Sequence, residues 1–509
     1  HSIIFILLLG YVHGYRQNFF FNGRPRDGLV NGPLSRSILE ETTYPGQVIS
    51  TFSQKVDHFN PLDQGRWEQR MFYNPIHSDR DKSSGQDLIF LMIGGEGREA
   101  TKWTGDDNIQ LMQYAQSYGA TVFDLEHRFF GDSRPINDMK TESLHLLTTE
   151  QALADLAYFI TSMNQKYKYK NPKWITFGGS YPAQLAAKMR SKYPELVAAA
   201  VGSSAPLHLK LDYFGYADGI QQVLEVTPVQ NDRNMGCADL VREAFDKMQT
   251  LSMTKDGRDI LSKQMHLDPP FDEKTTKADI TNFFANIYGT FQGMIQYTYD
   301  GRNEIAEKCT TAEQLCRIMN QGGDPVDNVW ALNVFANECY DDEPMTSFPN
   351  NYTSMIEDFS QTDYDILGED GSSNRGWTWL CCNEIGAFQT TDGDSIFGST
   401  IPINYFYDLC TDMFGPSINA SFIRDQNQAA QDYYGGEDDF DATNVCLPNG
   451  MFDPWHLIGY YKTDTDRNII PVPIEGAAHC SDMYPVYDGE PAALPAARQK
   501  IRDFLSGVI

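Results

Sequence analysis

Short apolar runs, each ending in a polar or glycine-rich loop, recur in the first and last parts of this chain. Residues 88–93 (LIFLMI) lead into Gly94-Gly95-Glu96-Gly97, and residues 120–123 (ATVF) into Asp124-Leu125-Glu126-His127-Arg128. Residues 174–177 (WITF) lead into Gly178-Gly179-Ser180-Tyr181, and residues 197–201 (VAAAV) into Gly202-Ser203-Ser204-Ala205-Pro206. Residues 444–447 and 469–474 repeat the pattern, the second weakened by Pro471 and Pro473. Runs that are continuous rather than alternating predict strands covered on both faces, as in parallel sheet. Before residue 174, Leu153, Leu156, Ala157, Ile160 and Met163 fall at helical spacing, with Thr148 and Gln151 as a capping box. Strands alternating with helices predict an α/β chain with a doubly wound, mostly parallel sheet.

From about residue 211 to 440 the pattern changes: strand-like runs become scarce and Asp, Asn, Gln, Met and aromatics dominate. Residues 276–297, with Phe283, Phe284, Ile287 and Tyr288, read as helix, as do residues 311–319. Completing the sheet after Ser180 needs only two or three βα units of ~30 residues or more each. The surplus predicts an inserted, mainly helical cap at 211–440, between core parts at 45–210 and 441–509. The acidic patches Asp341-Asp342-Glu343 and Glu437-Asp438-Asp439 read as solvated faces or loops.

The chain has 509 residues, 41% of them hydrophobic and 21% charged, enough for a large core and two domains. A net charge of -29 disfavours nucleic acid and anionic membrane as partners, since both would repel it. The apolar run within residues 1–14 is too short to cross a bilayer and predicts the remnant of a signal peptide. No later stretch offers 18 uninterrupted apolar residues, so no membrane span is expected. Sequons at Asn351 and Asn419 are glycosylation candidates and agree with a secreted or lysosomal location. Nine cysteines in an oxidising compartment should mostly pair, with at least one left over. Adjacent Cys381-Cys382 predicts two separate disulfides, or one disulfide and one buried thiol. Connectivity stays open.

Gly178-Gly179-Ser180-Tyr181 joins a predicted strand to a predicted helix, the order in which an α/β-hydrolase presents a nucleophilic serine. Pro182 stands where the usual pattern ends in glycine, and proline fits the first turn of a helix. Taken alone the tetrapeptide reads better as an ordinary turn. The rest of the chain supplies partners in the expected order. After the strand at 444–447 comes Asn449-Gly450-Met451-Phe452-Asp453-Pro454-Trp455, in which the proline restricts Asp453 to extended backbone. After the strand at 469–474 comes Glu475-Gly476-Ala477-Ala478-His479-Cys480. Ser180 is then the candidate nucleophile, His479 the base that takes its proton, and Asp453 the acid that fixes the imidazole tautomer. The amide of Tyr181 and one from the loop at Gly94-Gly95-Glu96-Gly97, taken as Gly95, are the candidate oxyanion donors. No Gly-Lys-Ser/Thr follows that loop, which argues against a phosphate cradle. No metal or organic cofactor is implied.

Together these residues resemble the prolyl carboxypeptidase family of serine peptidases, which includes lysosomal Pro-X carboxypeptidase, dipeptidyl peptidase II and thymus-specific serine protease. The resemblance runs from about Phe52 to the C-terminal helix. Its marks are Gln54-Lys55-Val56-Asp57-His58-Phe59 with Trp67-Glu68-Gln69-Arg70, the glycine loop, Glu126-His127-Arg128-Phe129-Phe130-Gly131-Asp132-Ser133 and Thr149-Glu150-Gln151-Ala152-Leu153-Ala154-Asp155. The serine turn, Ser204-Ala205-Pro206, Asn449-Gly450 with Asp453-Pro454-Trp455, and Gly476 with His479 complete them. Tyr181-Pro182 and His479-Cys480-Ser481-Asp482-Met483 are most similar to the thymus-specific branch. The resemblance implies an α/β-hydrolase core, a helical cap, and cleavage of short peptides after proline or a similar small residue. It maps nucleophile, acid and base onto the same three residues.

Four departures touch substrate preference: Phe130 replaces tyrosine near the mouth, Leu380 replaces glutamine, Cys381 is additional, and Ala183 replaces glycine. The leading expectation is a Pro-X carboxypeptidase-like serine exopeptidase, with Arg98 or Lys102 as the cation for a terminal carboxylate. Its rivals are an aminodipeptidase of the dipeptidyl peptidase II kind, which needs carboxylates, and a secreted non-catalytic binding protein on the same scaffold. A lipase or esterase has no support beyond the serine turn. A homodimer is compatible with the reading.

Overall fold

The computed structural model describes residues 20–21, 24–25, 42–79, 85–299, 301, 311–340, 344–436 and 439–509. Its centre is an eight-stranded sheet made of β1 (Val48–Lys55), β2 (Arg66–Asn74), β3 (Leu88–Ile93), β4 (Thr121–Leu125), β5 (Lys173–Gly179), β6 (Val197–Ser203), β7 (Val445–Gly450) and β8 (Ile469–Ile474). The strand order is β8-β7-β6-β5-β3-β4-β2-β1. From β3 to β8 all neighbours are parallel, and β2 runs antiparallel to both β1 and β4. This is the α/β-hydrolase arrangement, reached by the six strands predicted from apolar runs. The two it adds, β1 and β2, carry the mixed sequences VISTFSQK and RWEQRMFYN and form the partly solvated edge. A strand wet on one face does not produce an unbroken apolar run.

Alternate residues of the central strands feed two cores. Ile89 and Leu91 of β3 and Phe123 of β4 pack with Leu153, Leu156, Phe159 and Ile160. Phe90 and Met92 of β3 and Val122 of β4 pack instead with Leu111, Met112, Ile501 and Phe504. Helices therefore cover both faces: α2 (Thr149–Tyr167) and α3 (Tyr181–Lys192) on one, α1 (Gln110–Tyr118) and the C-terminal helix α8 (Leu494–Val508) on the other. Thr148 caps α2 by accepting the Gln151 amide at 3.1 Å. The Gln151 side chain does not close the predicted capping box. It reaches back to Asp57 and the His58 amide, tying α2 to the loop after β1.

Between β6 and β7 the regular elements among the described residues are helices apart from the two-residue strands Leu267–Asp268 and Phe348–Pro349, which pair in parallel. Its long helices include α4 (Gly215–Val226), α5 (Cys237–Ser252), α6 (Lys277–Gln296) and α7 (Tyr364–Leu380). α6 occupies the predicted helix at 276–297 and starts with a complete capping box between Thr276 and Asp279. Cys237 bonds Cys316, and Cys382 bonds Cys410. Cys382 is thus the disulfide member of the adjacent pair, and Cys446 and Cys480 are buried thiols. The predicted signal remnant at 1–14, Cys309, Asp341-Asp342-Glu343 and Glu437-Asp438 lie outside the described residues, as does the side chain of Cys339. Among the described residues, no helix is long and apolar enough to cross a membrane.

The turn after β4 is held by a fully buried fork. Arg128 Nε and Nη2 donate to the two Asp155 oxygens at 2.6 and 2.7 Å, and Nη1 donates to Leu146 O at 2.8 Å. His58 Nε2 lies 2.7 Å from Asp155 Oδ1. Removing one partner strands the other charge in a dry interior, at a cost of ~3–5 kcal/mol. Arg128→Ala should therefore lower the denaturation midpoint steeply in a urea titration, and a shift matching that of an exposed arginine would contradict this.

Candidate active site

Ser180 stands between the end of β5 and the start of α3, with φ 64° and ψ −128°. A β-carbon disfavours this backbone, so the surroundings must hold it. They do so by crowding. A side chain at Gly178 would overlap the Pro182 carbonyl, and one at Gly179 would lie 2.5 Å from Met483 Sδ and 3.0 Å from Cys480 Sγ. The Ser180 amide donates to Ser203 O at 2.9 Å, fastening the turn to β6. Ser180 is 7% exposed.

Asp453 follows β7 in extended backbone, φ −78° and ψ 115°, as its proline requires. One carboxylate oxygen accepts the Trp455 amide at 3.0 Å, and the other faces His479 Nδ1 at 2.6 Å. Asp453 is 0% and His479 2% exposed. Burial alone would lower the imidazole pKa. The charge and hydrogen bond of Asp453, with Cys480 adding to them, outweigh burial and hold it well above the usual histidine range. With Nδ1–H directed at the carboxylate, Nε2 is the ring nitrogen left over, and it makes no hydrogen bond among the described residues. The structure therefore brings Asp453 and His479 together beside the serine turn, while the link from Ser180 to Nε2 is not formed.

Sequence reasoning missed what supports these groups. The His479 amide donates at 3.0 Å to the carbonyl of Gln296, the last residue of α6. The Gln296 side chain accepts from Tyr216 Oη at 2.5 Å and Trp455 Nε1 at 2.9 Å, so it joins both histidine and aspartate loops. The Tyr297 ring lies edge-on to His479 with centroids 6.0 Å apart. Cys480, at φ 59°, donates its amide to Ser204 Oγ, and Ser203 Oγ donates to Asp482 at 2.6 Å. No local motif reveals such partners, because they are 80 or more residues apart in the chain.

Tyr181 is buried, with its ring edge-on to Trp377 of α7 and its hydroxyl 3.2 Å from His127 Nε2. Burial pushes the His127 pKa down to about 4, so the ring is neutral. It then donates from Nδ1 to Arg128 O and accepts the tyrosine hydroxyl. Phe130 was expected near the mouth. It is instead buried, edge-on to His127 with centroids 5.3 Å apart, so the missing hydroxyl bears on the tyrosine support. Leu380 and Ala183 are also buried. Gly95 packs against the serine turn: a side chain there would lie 2.8 Å from Pro182 Cγ. Its amide, taken above as an oxyanion donor, is committed to Glu99 Oε1 at 2.9 Å. Of the two expected cations, Arg98 is bridged to Asp132 at 2.7 Å and Lys102 lies over the Trp103 ring.

Residues 54–501 match the family described as Serine carboxypeptidase S28. The chain belongs to that family. It is a serine-type peptidase. Its relatives include the Caenorhabditis elegans protein F56F10.1, 47% identical with 99% of this chain and 93% of that one covered. The Mus musculus Thymus-specific serine protease is 29% identical, covering 88% and 85%. The Bos taurus Lysosomal Pro-X carboxypeptidase is 28% identical, covering 86% and 82%. Within this S28 peptidase the serine turn leaves no room for a side chain at Gly178. Gly178→Ala forces a methyl onto a carbonyl that cannot move without unseating α3, an overpacking cost of ~1–3 kcal/mol. A calorimetric midpoint equal to that of the unsubstituted protein would refute the crowding argument.

Proposed function

We propose that Ser180, His479 and Asp453 are the nucleophile, general base and supporting acid of a serine exopeptidase acting on short peptides. The observation that carries this reading is the buried 2.6 Å contact between Asp453 and His479 beside a serine held at φ 64°. His479 Nε2 takes the Ser180 proton as Oγ attacks the scissile carbonyl, and then returns it to the departing amine. Water, activated by the same nitrogen, hydrolyses the acyl-enzyme. The Tyr181 amide supplies one oxyanion donor. The Gly95 amide would have to leave Glu99 to act as the second, so the role falls to the Gly95 loop rather than to that amide as it stands.

Cleavage after proline, with release of the C-terminal residue, is the preferred substrate reading. The family description and the named Pro-X carboxypeptidase relative support it. The segment at 211–440 acts in this reading as a cap that admits chain ends. An aminodipeptidase is the second reading, favoured by the pairing of Arg98 with Asp132, which offsets the cation a terminal carboxylate would seek. The two disulfides agree with the oxidising secretory pathway, and the choice between secretion and lysosome follows from the substrate's location.

A fluorophosphonate probe should label the protein and fail on Ser180→Ala. Loss of labelling with full peptide binding in both proteins is the active-enzyme outcome, whereas no labelling of either favours a binding scaffold. N-acetylated Pro-X peptides should be cleaved and C-terminally amidated ones spared; the opposite selectivity selects the aminodipeptidase.

The electrostatics set a pH expectation. A base with a raised pKa is protonated, and idle, until the pH climbs through that value. The acid limb of kcat/KM should therefore lie above the free-histidine pKa of ~6.5. Asp453→Asn should move the limb down and cut the rate by roughly 10⁴. A wild-type limb near pH 5 would show that Asp453 does not govern His479.

A further inference from the structure

Under the Gly95 loop lie more acids than the mechanism uses. Glu99, Asp124 and Glu126 are buried together against one arginine, Arg70 of β2. Glu126 is well satisfied. It accepts from Ser133 Oγ at 2.7 Å, from the Asp132 and Glu99 amides at 3.0 and 3.1 Å, and from Arg70 Nη1 at 3.2 Å. The same Arg70 nitrogen donates to the Glu99 carbonyl at 2.9 Å. Glu99 and Asp124 are provisioned differently. Glu99 Oε1 accepts the Gly95 amide, but its Oε2 and both Asp124 oxygens have no donor among the described residues. Arg70, which bonds Glu126 and the Glu99 carbonyl, also acts on Asp124, so the two unsupplied carboxyls belong to one dry cluster around it. Two carboxylates cannot bond each other, whereas an acid and a carboxylate can. One proton between them satisfies both groups and removes a charge that a single arginine cannot balance.

We propose that Glu99 and Asp124 hold one proton between them and that this shared proton fixes the Gly95 amide, making both carboxyls positioning residues for the loop facing Ser180. The catalytic half of this statement rests on the function proposed above; the proton sharing does not. All charged groups around the pair bear on it. Arg70 from β2 favours ionisation, Glu126 after β4 and Glu96 from the loop itself oppose it, and Arg98 acts mainly on Glu126 and Asp132. Burial pushes Glu99 up to about 8, with the Gly95 amide and Arg70 pulling against it and Glu126 adding to it. Burial likewise holds Asp124 far above the carboxylate range, reinforced by the charges of Glu99 and Glu126. The folded state thus binds a proton that the unfolded chain releases near ~4.3. Stability is full below that value and falls as pH rises toward 8, where the proton leaves and the loop loses its anchor.

The test uses the full chain with Glu99→Ala, Glu99→Gln and Asp124→Asn, each of the last two retaining a hydrogen on one partner. Hydrogen exchange of residues 94–99, compared with wild type at equal pH, needs no turnover. Glu99→Ala should lose protection, and Asp124→Asn should keep it above pH ~8, where wild type loses it. Urea stability measured on a Ser180→Ala background should decline between pH ~5 and ~8, and more shallowly with Asp124→Asn added. Parallel protection and stability profiles in all variants overturn the shared proton, whatever becomes of the triad. In kinetics, Glu99→Ala should lower kcat by about tenfold with KM little changed, and Glu99→Gln should restore it. The ratio of Asp124→Asn to wild-type kcat/KM should climb about fivefold or more from pH ~6 to ~8.5, a ratio that cancels the His479 limb. Altered exchange with a flat ratio and an unaffected kcat overturns the positioning role.

Discussion

The site depends on one steric constraint, the backbone of Ser180. A residue at φ 64° and ψ −128° is disfavoured on its own, at a cost of about 1–3 kcal/mol, and persists only where its neighbours allow nothing else. Those neighbours come from every part of the core. Pro182 and Ala183 press from α3, Ser203 holds the amide from β6, and Met483 and Cys480 close over Gly179 from the loop after β8. The loop that carries His479 is thus also a wall of the serine turn. Placing Ser180 and placing His479, the proposed nucleophile and base, are one packing problem, which is why residues spread over 300 positions can be held in register.

Burial governs the chemistry as strongly as it governs the shape. Dry surroundings amplify each uncompensated charge. Around Asp453 and His479 this produces an imidazole that prefers its proton, with the Trp455 amide on the second Asp453 oxygen and the Gln296 carbonyl accepting the His479 amide. Around His127 the same dryness has the opposite result, a neutral ring serving as acceptor for Tyr181. The difference lies in the partner. His479 faces a carboxylate at 2.6 Å, whereas His127 faces a carbonyl and a hydroxyl.

Much of this was legible before any coordinates. Six strands announced themselves as apolar runs because both their faces are covered, and α2 and α6 through helical spacing, with Thr148 marking the start of α2. Ser180, Asp453 and His479 could be singled out because each follows a strand, and Pro454 even foretold the backbone of Asp453. Edge strands β1 and β2 were hidden because half of each is polar. The commitment of the Gly95 amide to Glu99 was hidden for another reason: a glycine loop advertises its amides without saying which acceptor, four residues on, has claimed them. Gln296 and Asp482 were invisible because their roles come from tertiary contact alone.

The helical segment between β6 and β7 is more than a cover. Gln296 closes α6 by accepting the His479 amide on its carbonyl and the Trp455 indole on its side chain. Tyr216 of α4 reaches the same side chain. A rigid displacement of α6 would pull on the loops that hold both His479 and Asp453, so that helix cannot lift without disturbing their pairing. α7 is attached differently. It meets the serine turn through the edge contact of Trp377 with Tyr181, and Arg375 and Trp379 bond to carbonyls of the loop leading into α2. Aromatic edge contacts hold by ~0.5–1.5 kcal/mol, less than a buried hydrogen-bond network. The Trp377 edge of the serine turn therefore rests on the weaker of these attachments, while Arg375 and Trp379 anchor the helix itself through buried hydrogen bonds.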